Sequence, residues 1–247
     1  MDLELTGKVA LVTGGSAGIG AAIAKTLATE GCSVGIVGRG RDRLERTANE
    51  IAQATDCRID AQVADLSKTD DAVEVAETWA DADIVVNNAG AIPAGDLTAI
   101  DDATWRSAWD LKVFGYVTLT RAFYPRMCER GRGVIINVIG AAAQMRDPSY
   151  ICGVAGNAAL TALTMSLGSE SPAHGVRVVG VSPGPVATER LKTLEPALIS
   201  KPRPFGRAAH PEEVADTVAF LASRRAGYIS GTVVMVDGGL SARSQTQ

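Results

Sequence analysis

A glycine-rich segment, TGGSAGIG, spans residues 13–20 and follows a short apolar run. The residues after it, AAIAKTLATEG, are typical of a helix. Glycines at these spacings permit a tight turn and let backbone N–H groups approach an anion, and the helix adds its positive dipole end. In a strand–turn–helix unit this pattern indicates a cradle for the pyrophosphate of a dinucleotide rather than a turn without a ligand. The predicted cofactor-binding residues here are Gly14, Ser16, Gly18, Ile19 and Gly20.

The residues after the second apolar run indicate which dinucleotide is preferred. An acid about 20 residues beyond the glycines would accept a hydrogen bond from the ribose 2′-hydroxyl of NAD. The segment reads GIVGRGRDR, which puts Gly38 at that position and Arg39 next to it. A guanidinium pairs with a 2′-phosphate and cannot accept a hydrogen bond. The sequence therefore predicts NADP in preference to NAD, with Arg41 and Arg43 either assisting or lying on a solvated helix face.

Apolar runs that alternate with helical patterns must position these residues. The runs lie at 8–13, 33–37, 82–87, 133–138, 176–181 and 232–236, with a weaker one at 57–64. Helical patterns lie near 18–30, 41–54, 68–80, 101–130, 154–171 and 211–222. Continuous apolar runs are typical of parallel strands that are buried on both faces. The alternation predicts an α/β fold, a Rossmann-type doubly wound parallel sheet in a single domain over 1–247.

Length, charge and cysteine content narrow the class of protein. The 247 residues carry a formal net charge of −4, which leaves no basic footprint for nucleic acid. We find no apolar run long enough to span a bilayer, and the N-terminal MDLELTGK lacks the layout of a signal peptide. The four cysteines show no metal-ligand spacing and are expected to be buried, reduced thiols. We expect a cytoplasmic protein with no metal and no membrane or nucleic-acid partner.

Further motifs make the chain resemble the classical short-chain dehydrogenase/reductase family over nearly its whole length. TGGSAGIG matches the family's phosphate loop, NNAG at 87–90 its central strand motif, and VSPGPVATER the segment after strand six. The resemblance implies about seven strands, a nicotinamide cofactor and a homo-oligomer, usually a tetramer. It also implies further cofactor-binding residues, which are Asp65, Leu66, Asn88, Ala89, Gly90, Pro183, Gly184, Val186 and Thr188.

The resemblance also reveals a departure at the catalytic positions. The family uses a serine, a tyrosine, a lysine and a helix asparagine. The tyrosine exchanges the substrate's hydroxyl proton, and the lysine lowers the pKa of that tyrosine. In this sequence those four positions are held by Gly140, Gly153, Asn157 and Lys112. The sequence therefore predicts a divergent member of the family without the usual tetrad.

Lysine and asparagine have exchanged places between two of these positions. If the two side chains face each other, Lys112 and Asn157 form an ammonium–amide pair with its ends reversed, either directly or through a water. The alternative is that Lys112 lies in solvent and Asn157 packs on a helix. Gly140 and Gly153 are expected to widen the pocket for a bulkier substrate.

Tyr150 lies three residues before Gly153, about one helical turn earlier. If the helix begins early enough, its phenol lies in the same cavity and Lys112 can supply the neighbouring cation. Otherwise Tyr150 lines the substrate pocket or caps the loop. The catalytic candidates are therefore Tyr150, Lys112 and Asn157.

Other candidates nearby have simpler explanations. Cys152 is either a nucleophile or a quiet buried thiol. Arg146 and Asp147 either border the substrate or form a surface turn.

Three functions are compatible with these residues. The first is an NADP-dependent oxidoreductase that acts on a carbonyl or alcohol through a non-standard site. The others are a non-redox lyase, dehydratase or isomerase and a catalytically silent nucleotide-binding protein. The cofactor motifs favour the first.

The segment 188–206 is expected to form a lid over an apolar or partly aromatic small-molecule substrate, and the tail 241–247 is expected to be loose.

Overall fold

The computed structural model describes residues 1–193 and 203–242. Its centre is one seven-stranded sheet with the order β3-β2-β1-β4-β5-β6-β7, and every neighbouring pair is parallel. This confirms the predicted doubly wound α/β fold, including the weaker third strand. The strands are β1 (Val9–Thr13), β2 (Ser33–Gly38), β3 (Ile59–Val63), β4 (Ile84–Asn87), β5 (Gly133–Val138), β6 (Val176–Pro183) and β7 (Val233–Val236).

Helices connect the strands on both faces of the sheet. The helix predicted over 101–130 is interrupted by a π-helical turn at Asp110–Phe114. The helix predicted over 154–171 begins three residues earlier. The two shortest helices were not predicted, because a segment this short cannot show a helical periodicity. In the described residues the helices are α1 (Gly18–Thr29), α2 (Arg41–Thr55), α3 (Thr69–Thr78), α4 (Asp102–Trp109), α5 (Gly115–Arg130), α6 (Ala142–Met145), α7 (Ile151–Glu170), α8 (Glu189–Thr193) and α9 (Pro211–Ala222).

The core lies in two layers, one on each face of the sheet. Successive residues of β1 alternate between them, because side chains of a strand point to opposite faces. Ala10 and Val12 pack in the layer that contains residues of α1 and α9. Leu11 packs in the layer that contains residues of α3 and α5. Both faces of β1 are therefore buried, which explains its continuous apolar sequence.

The strand order determines where a ligand can bind at the edge of the sheet. β1 pairs with β2 on one side and with β4 on the other, so the chain direction across the sheet reverses between β1 and β4. Ligands of open parallel sheets bind outside the carboxyl ends of the strands at such a switch point. The loops after β1, β2, β4, β5 and β6 therefore converge on one crevice.

One helix contradicts an expectation from the sequence. The span Ile151–His174, which is α7 with the turn that follows it, is long and apolar enough to cross a membrane. In this fold one face of α7 packs on the sheet, and 39% of the apolar window is buried. Leu160 is fully buried, and Thr164 accepts a hydrogen bond from Asn137 of β5. Gly168 lies so close to β6 that a side chain there would overlap the strand backbone.

The cysteines and the chain end bear on three further expectations. All four cysteines are free, Cys32 and Cys152 being buried and the other two half-buried. Of the expected lid, 188–193 and 203–206 are described and include α8, whereas 194–202 lie outside the described residues. Leu240–Ala242 forms a 3-10 turn, so the expected loose tail does not begin at 241, and 243–247 lie outside the described residues.

Candidate active site

The glycine loop between β1 and α1 forms a cradle that only glycine permits. Gly14 and Gly18 have φ values of +66° and +55°. A Cβ on Gly20 would overlap the Gly14 carbonyl oxygen and lie 2.5 Å from Asn88 Nδ2. Helix α1 begins at Gly18, and its N-cap residue Ala17 supplies no side-chain hydrogen bond. The first N–H groups of α1 therefore remain available to an anion, and the cradle fits a pyrophosphate.

Thr13 and Asn88 hold this loop in place. The backbone N–H groups of Asn88 and Ala89 donate to Thr13 Oγ1 at 2.8 and 3.1 Å. Asn88 Nδ2 donates to the Thr13 carbonyl at 2.9 Å. The residues after β4 thereby support the residues after β1. Thr13, whose hydroxyl accepts both backbone donors, was not among the predicted site residues.

A cleft of about 790 Å³ runs along the carboxyl ends of the strands. All three catalytic candidates, Tyr150, Lys112 and Asn157, belong to its wall, as do all predicted cofactor residues except Asp65. The predicted cofactor residues in the wall are Gly14, Ser16, Gly18, Ile19, Gly20, Arg39, Leu66, Asn88, Ala89, Gly90, Pro183, Gly184, Val186 and Thr188.

Asp65 lies beside the cleft and is engaged by its own loop. Its Oδ1 accepts hydrogen bonds from the backbone N–H and the hydroxyl of Ser67 at 3.2 and 2.8 Å. Burial favours the neutral acid, but these hydrogen bonds and the charges of Arg39 and Lys68 hold the pKa of Asp65 below its usual value. Asp65 is therefore an ionised group that shapes the loop after β3.

Two of the three arginines after β2 belong to the cleft. Arg39 is exposed at its rim, and Arg43 in the first turn of α2 also lines it. Arg41 is instead paired with Glu45 one turn later on α2, at 3.2 Å. The structure thus separates the alternatives for these residues. Arg43 can assist Arg39, whereas Arg41 lies on a solvated helix face.

Lys112 enters the cleft and does not lie in solvent. Its aliphatic chain passes over Gly90, where a Cβ would lie 3.0 Å from Lys112 Cδ. Its Nζ donates to the carbonyl of Ile139, directly after β5, at 2.5 Å. Burial, and secondarily the charge of Arg190, lower the pKa of Lys112 to about 7. Lys112 lies within the π-helical turn, a distortion that is frequent at functional sites.

Asn157 does not pair directly with Lys112. It is 3% exposed, and its Nδ2 lies 3.0 Å from the position of a Cβ on Gly140. Within the described part of the chain, Asn157 Oδ1 has no hydrogen-bond partner. Both side chains nevertheless meet the Ile139–Gly140 segment. A buried amide oxygen is normally satisfied by a protein group or an ordered water, so this oxygen marks a place for an external donor.

Tyr150 occupies the space left by Gly153. It is the N-cap residue of α7, and its backbone bridges to Gly95. A Cβ on Gly153 would overlap Tyr150 Cε1 and lie 2.5 Å from Cζ. The expectation that Gly153 widens the pocket is therefore wrong, because the phenol ring fills that volume. The early start of α7 at Ile151 is what brings the ring there.

Arg190 supplies the cation beside Tyr150, a role predicted for Lys112. Burial raises the pKa of Tyr150, whereas the charge of Arg190 and its hydrogen bond to the phenol lower it. Arg190 also donates through Nη2 to the carbonyl of Ile92 at 2.5 Å. It was missed because it lies in the expected lid, and its only signal was its position as the last residue of the VSPGPVATER segment.

Of the remaining candidates, Asp147 lines the cleft, whereas Arg146 and Cys152 do not. Asp147 lines the cleft, and its Oδ1 accepts hydrogen bonds from the backbone N–H and hydroxyl of Ser149. Arg146, with a φ of +51°, does not line it. Cys152 is buried outside the cleft wall, and burial raises the pKa of its thiol against the effect of a hydrogen bond from Trp109. These features favour a quiet thiol.

Residues 1–193 and 203–242 contain no cluster of histidine, cysteine and acidic side chains that could hold a metal ion.

The switch-point crevice and the uncapped helix behind the glycine loop define a dinucleotide-binding α/β protein. A family model described as Enoyl-(Acyl carrier protein) reductase matches residues 14–241. The chain is 37% identical over 243 residues to galactitol 2-dehydrogenase (L-tagatose-forming) from Cereibacter sphaeroides, covering 96% of both.

Solved structures agree with this match. A short chain dehydrogenase/reductase family protein superimposes with a TM-score of 0.90 at 38% identity, over 98% of this chain and 100% of that one. L-sorbose reductase from Gluconobacter frateurii, complexed with NADPH and L-sorbose, gives 0.91 at 31% identity, over 99% and 100%. The chain therefore belongs to the short-chain dehydrogenase/reductase family. This is a family of oxidoreductases. Its members support a nicotinamide cofactor of the NAD(P) kind for this chain.

The buried Lys112 ammonium leads to a prediction about stability. Its pKa is lowered to about 7 in the folded protein, against about 10.4 in an unfolded chain. Between these values the unfolded chain binds a proton that the native state lacks, so the free energy of unfolding rises with pH there. Below about pH 7 the native state carries the full cost of a buried cation. We expect Lys112→Met to raise Tm by at least about 2–4 °C near pH 6, with a smaller gain near pH 9.

Thermal melts of the nucleotide-free protein at both pH values test this expectation. Lys25→Met is the matched control, because it removes an exposed lysine from α1. A variant that is less stable than the parent near pH 6, or a gain that does not change with pH, would show that Lys112 is not a destabilising buried cation.

Proposed function

We propose that this chain is an NADP(H)-dependent oxidoreductase that interconverts a small carbonyl compound and its alcohol with a non-standard catalytic set. The observation that carries the proposal is the position of Tyr150. Its phenol fills the volume beside Gly153, where the family's tyrosine would begin. A proton donor is thereby kept in the cavity although position 153 has no side chain. This supports redox chemistry over a silent nucleotide-binding role.

The residues that would hold the cofactor follow from the cleft wall. The N–H groups around Gly18 and Gly20 would bind the pyrophosphate, and Arg39 with Arg43 would bind the 2′-phosphate. Bound NADPH supplies a hydride to the carbonyl carbon. The residues after β4 and β6 that line the cleft, among them Asn88 and Val186, would confine the rest of the cofactor.

In the reductive direction Tyr150 donates a proton to the substrate oxygen, and in the oxidative direction it removes one. The Arg190 guanidinium, hydrogen-bonded to the phenol, stabilises the phenolate that forms. Lys112, with a pKa of about 7, holds or releases a proton at neutral pH. Asn157 Oδ1, which has no partner among the described residues, would accept a hydrogen bond from a water shared with Lys112 in place of a direct pair.

Turnover with defined substrates tests this function. The purified protein is mixed with NADPH and a panel of ketones and aldehydes, and the absorbance of the reduced nicotinamide is followed. We expect oxidation of NADPH that depends on the carbonyl compound. Conversion of a substrate by protein free of nicotinamide would instead identify a lyase, dehydratase or isomerase. Binding of NADPH with no turnover of any carbonyl or alcohol would favour the silent role.

Arg39 is expected to determine the choice between NADPH and NADH. Replacing it with alanine removes a charge-assisted hydrogen bond worth about 1.5–3 kcal/mol, which corresponds to about 10–100-fold weaker NADPH binding. The affinity for NADH should change by less than about threefold, because its ribose hydroxyl gives the guanidinium no anionic partner. Arg41→Ala is the control, since Arg41 pairs with Glu45 and does not line the cleft. Equal losses for both nucleotides in Arg39→Ala would refute the assignment.

We also propose that the chain forms a homo-oligomer, a tetramer or a dimer. Phe114 and Met165 are 54% and 51% exposed although both belong to long helical segments. Edge strand β7 is only half-buried along its whole length. Large apolar side chains on the surface and an uncovered sheet edge are typical of surfaces that pair with another chain. Light scattering of the purified protein measures the number of subunits.

A further inference from the structure

The first turn of α7 is weakly specified by its own residues. Its N-cap residue Tyr150 supplies no side-chain hydrogen bond to this turn, and the turn contains no acidic residue. It begins with Ile151, Cys152 and Gly153, and all three residue types have a lower helix propensity than alanine, glycine most of all. Contacts from other parts of the fold therefore have to hold this turn in its helical form.

The indole of Trp109 makes one of these contacts. Trp109 is the last residue of α4, and its Nε1 donates to the carbonyl of Cys152, in the first turn of α7, at 3.2 Å. A Cβ on Gly156, four residues further along α7, would lie 3.3 Å from the same nitrogen. The lack of a side chain at Gly156 thus leaves room for the indole to reach the α7 backbone.

The indole also lies on the side of Tyr150 that faces away from the cleft. Trp105, Trp109 and Tyr150 all pack against one buried cluster, which includes Ile92 and Cys152. Tyr150 lines the cleft, whereas Trp109 does not. Any effect of Trp109 on the reaction is therefore transmitted through its neighbours and does not involve contact with a substrate.

Trp109 is adjacent to a second element of the site, the π-helical turn that carries Lys112. It directly precedes this turn. Val113 of the turn meets α7 at the same place as Trp109, because a Cβ on Gly156 would lie 3.2 Å from Val113 Cγ2. One contact, centred on Gly156, therefore joins the turn that carries Lys112 to the helix that begins after Tyr150.

We propose that Trp109 is a positioning residue, which holds the first turn of α7 and thereby keeps the Tyr150 phenol where it exchanges a proton with the substrate. This inference rests on the proposed function and assigns a further residue to the same site. The Tyr150 ring lies over Gly153, within the turn that the indole holds. A turn of weak helix formers opens more often when a tertiary contact is removed. Small displacements of a reacting group are known to lower rates strongly.

Trp109→Phe tests this role, because it keeps an aromatic ring in the cluster and removes the indole N–H. We expect kcat for NADPH-dependent carbonyl reduction to fall about 3–10-fold, the equivalent of one hydrogen bond. The Kd for NADPH should stay within about twofold of the parent value. If Trp109→Phe does not fold, Gly156→Ala tests the same contact, because its Cβ would crowd the indole nitrogen and Val113.

Trp79→Phe is the matched control. The Trp79 indole donates to Gln62 Oε1 at 2.9 Å, packs in the layer that contains α3 and α5, and lies outside the cleft wall. The control thus removes an indole hydrogen bond of similar length far from Tyr150. It should keep the parental kcat.

A double-mutant cycle separates positioning from a general loss of stability. If Trp109 acts through the Tyr150 hydroxyl, Trp109→Phe should lower kcat no further in a protein that already carries Tyr150→Phe. Hydrogen exchange of the NADPH-bound protein, followed by mass spectrometry, gives a readout without turnover. Exchange at residues 151–156 should be faster in Trp109→Phe than in the parent and unchanged in Trp79→Phe.

Three results would overturn the inference. They are a parental kcat in the folded variant, a loss of the same size with and without the Tyr150 hydroxyl, and unchanged exchange at residues 151–156. The exchange data also separate this inference from the proposed function. If the parent reduces no carbonyl but exchange is faster only in Trp109→Phe, the proposed function fails and the hold on the first turn of α7 stands. If the parent reduces carbonyls and the variant does so equally well, only the positioning role fails.

Discussion

Replacing Tyr150 with phenylalanine is expected to lower kcat for NADPH-dependent carbonyl reduction by about 10²–10⁴-fold, the usual contribution of a general acid. The phenyl ring keeps the packing against Gly153, so the fold and the affinity for NADPH should be preserved. Only the hydroxyl that Arg190 contacts is removed. Tyr228→Phe is the matched control, because that side chain is fully exposed and lies outside the cleft wall.

The pH dependence separates proton transfer from a packing role. Burial raises the pKa of Tyr150, so the phenol stays protonated at neutral pH and can act as an acid in reduction. Alcohol oxidation needs the deprotonated phenol, so its rate should rise with pH. Arg190→Gln removes the charge and hydrogen bond that lower this pKa and should shift the rise to higher pH. If Tyr150→Phe keeps kcat within about threefold of the parent, Tyr150 only lines the pocket.

Replacing Gly20 with alanine is expected to weaken NADPH binding by at least about 100-fold, which is the loss of two charge-assisted hydrogen bonds. A Cβ at this position would overlap the Gly14 carbonyl oxygen and approach Asn88 Nδ2 to 2.5 Å. The loop must then move, and the N–H groups at the start of α1 no longer converge on a phosphate. The measurement is the Kd for NADPH by calorimetry, together with the thermal shift that NADPH produces.

Gly40→Ala is the matched control for this change. Gly40 is the N-cap of α2, has a φ of −92°, and a Cβ there would have no heavy atom within 4 Å. It should bind NADPH like the parent. Gly18→Ala gives a milder test if Gly20→Ala does not fold, because a Cβ on Gly18 would contact Thr188 Cγ2 at 3.1 Å. Parental NADPH affinity in both loop variants would exclude the loop as the phosphate site.

Much of the architecture was predictable because it depends on local patterns. The strands buried on both faces are continuous apolar runs, as in β1 and β6. Gly14 in the loop and Gly20 in the first turn of α1 are constrained by backbone sterics. The expectation of no apolar run long enough to span a bilayer was wrong at α7. The apolar helix α7 satisfies the criterion for a membrane span, yet one face of it packs on the sheet in this fold. Hydropathy does not distinguish lipid from protein as the apolar environment.

By itself, the sequence determined the strand–helix alternation, the phosphate loop, the arginine after β2 and the absence of side chains at positions 140 and 153. Only the tertiary structure decided what occupies the resulting space. In the folded chain the Tyr150 ring lies over Gly153, and Lys112 donates a hydrogen bond to the Ile139 carbonyl rather than to Asn157. Arg190 lies beside the Tyr150 phenol. Tyr150 and Arg190 are 40 residues apart in the chain. Local periodicity carries no information on such a contact, because it arises only when the ends of separate strands converge at one edge of the sheet.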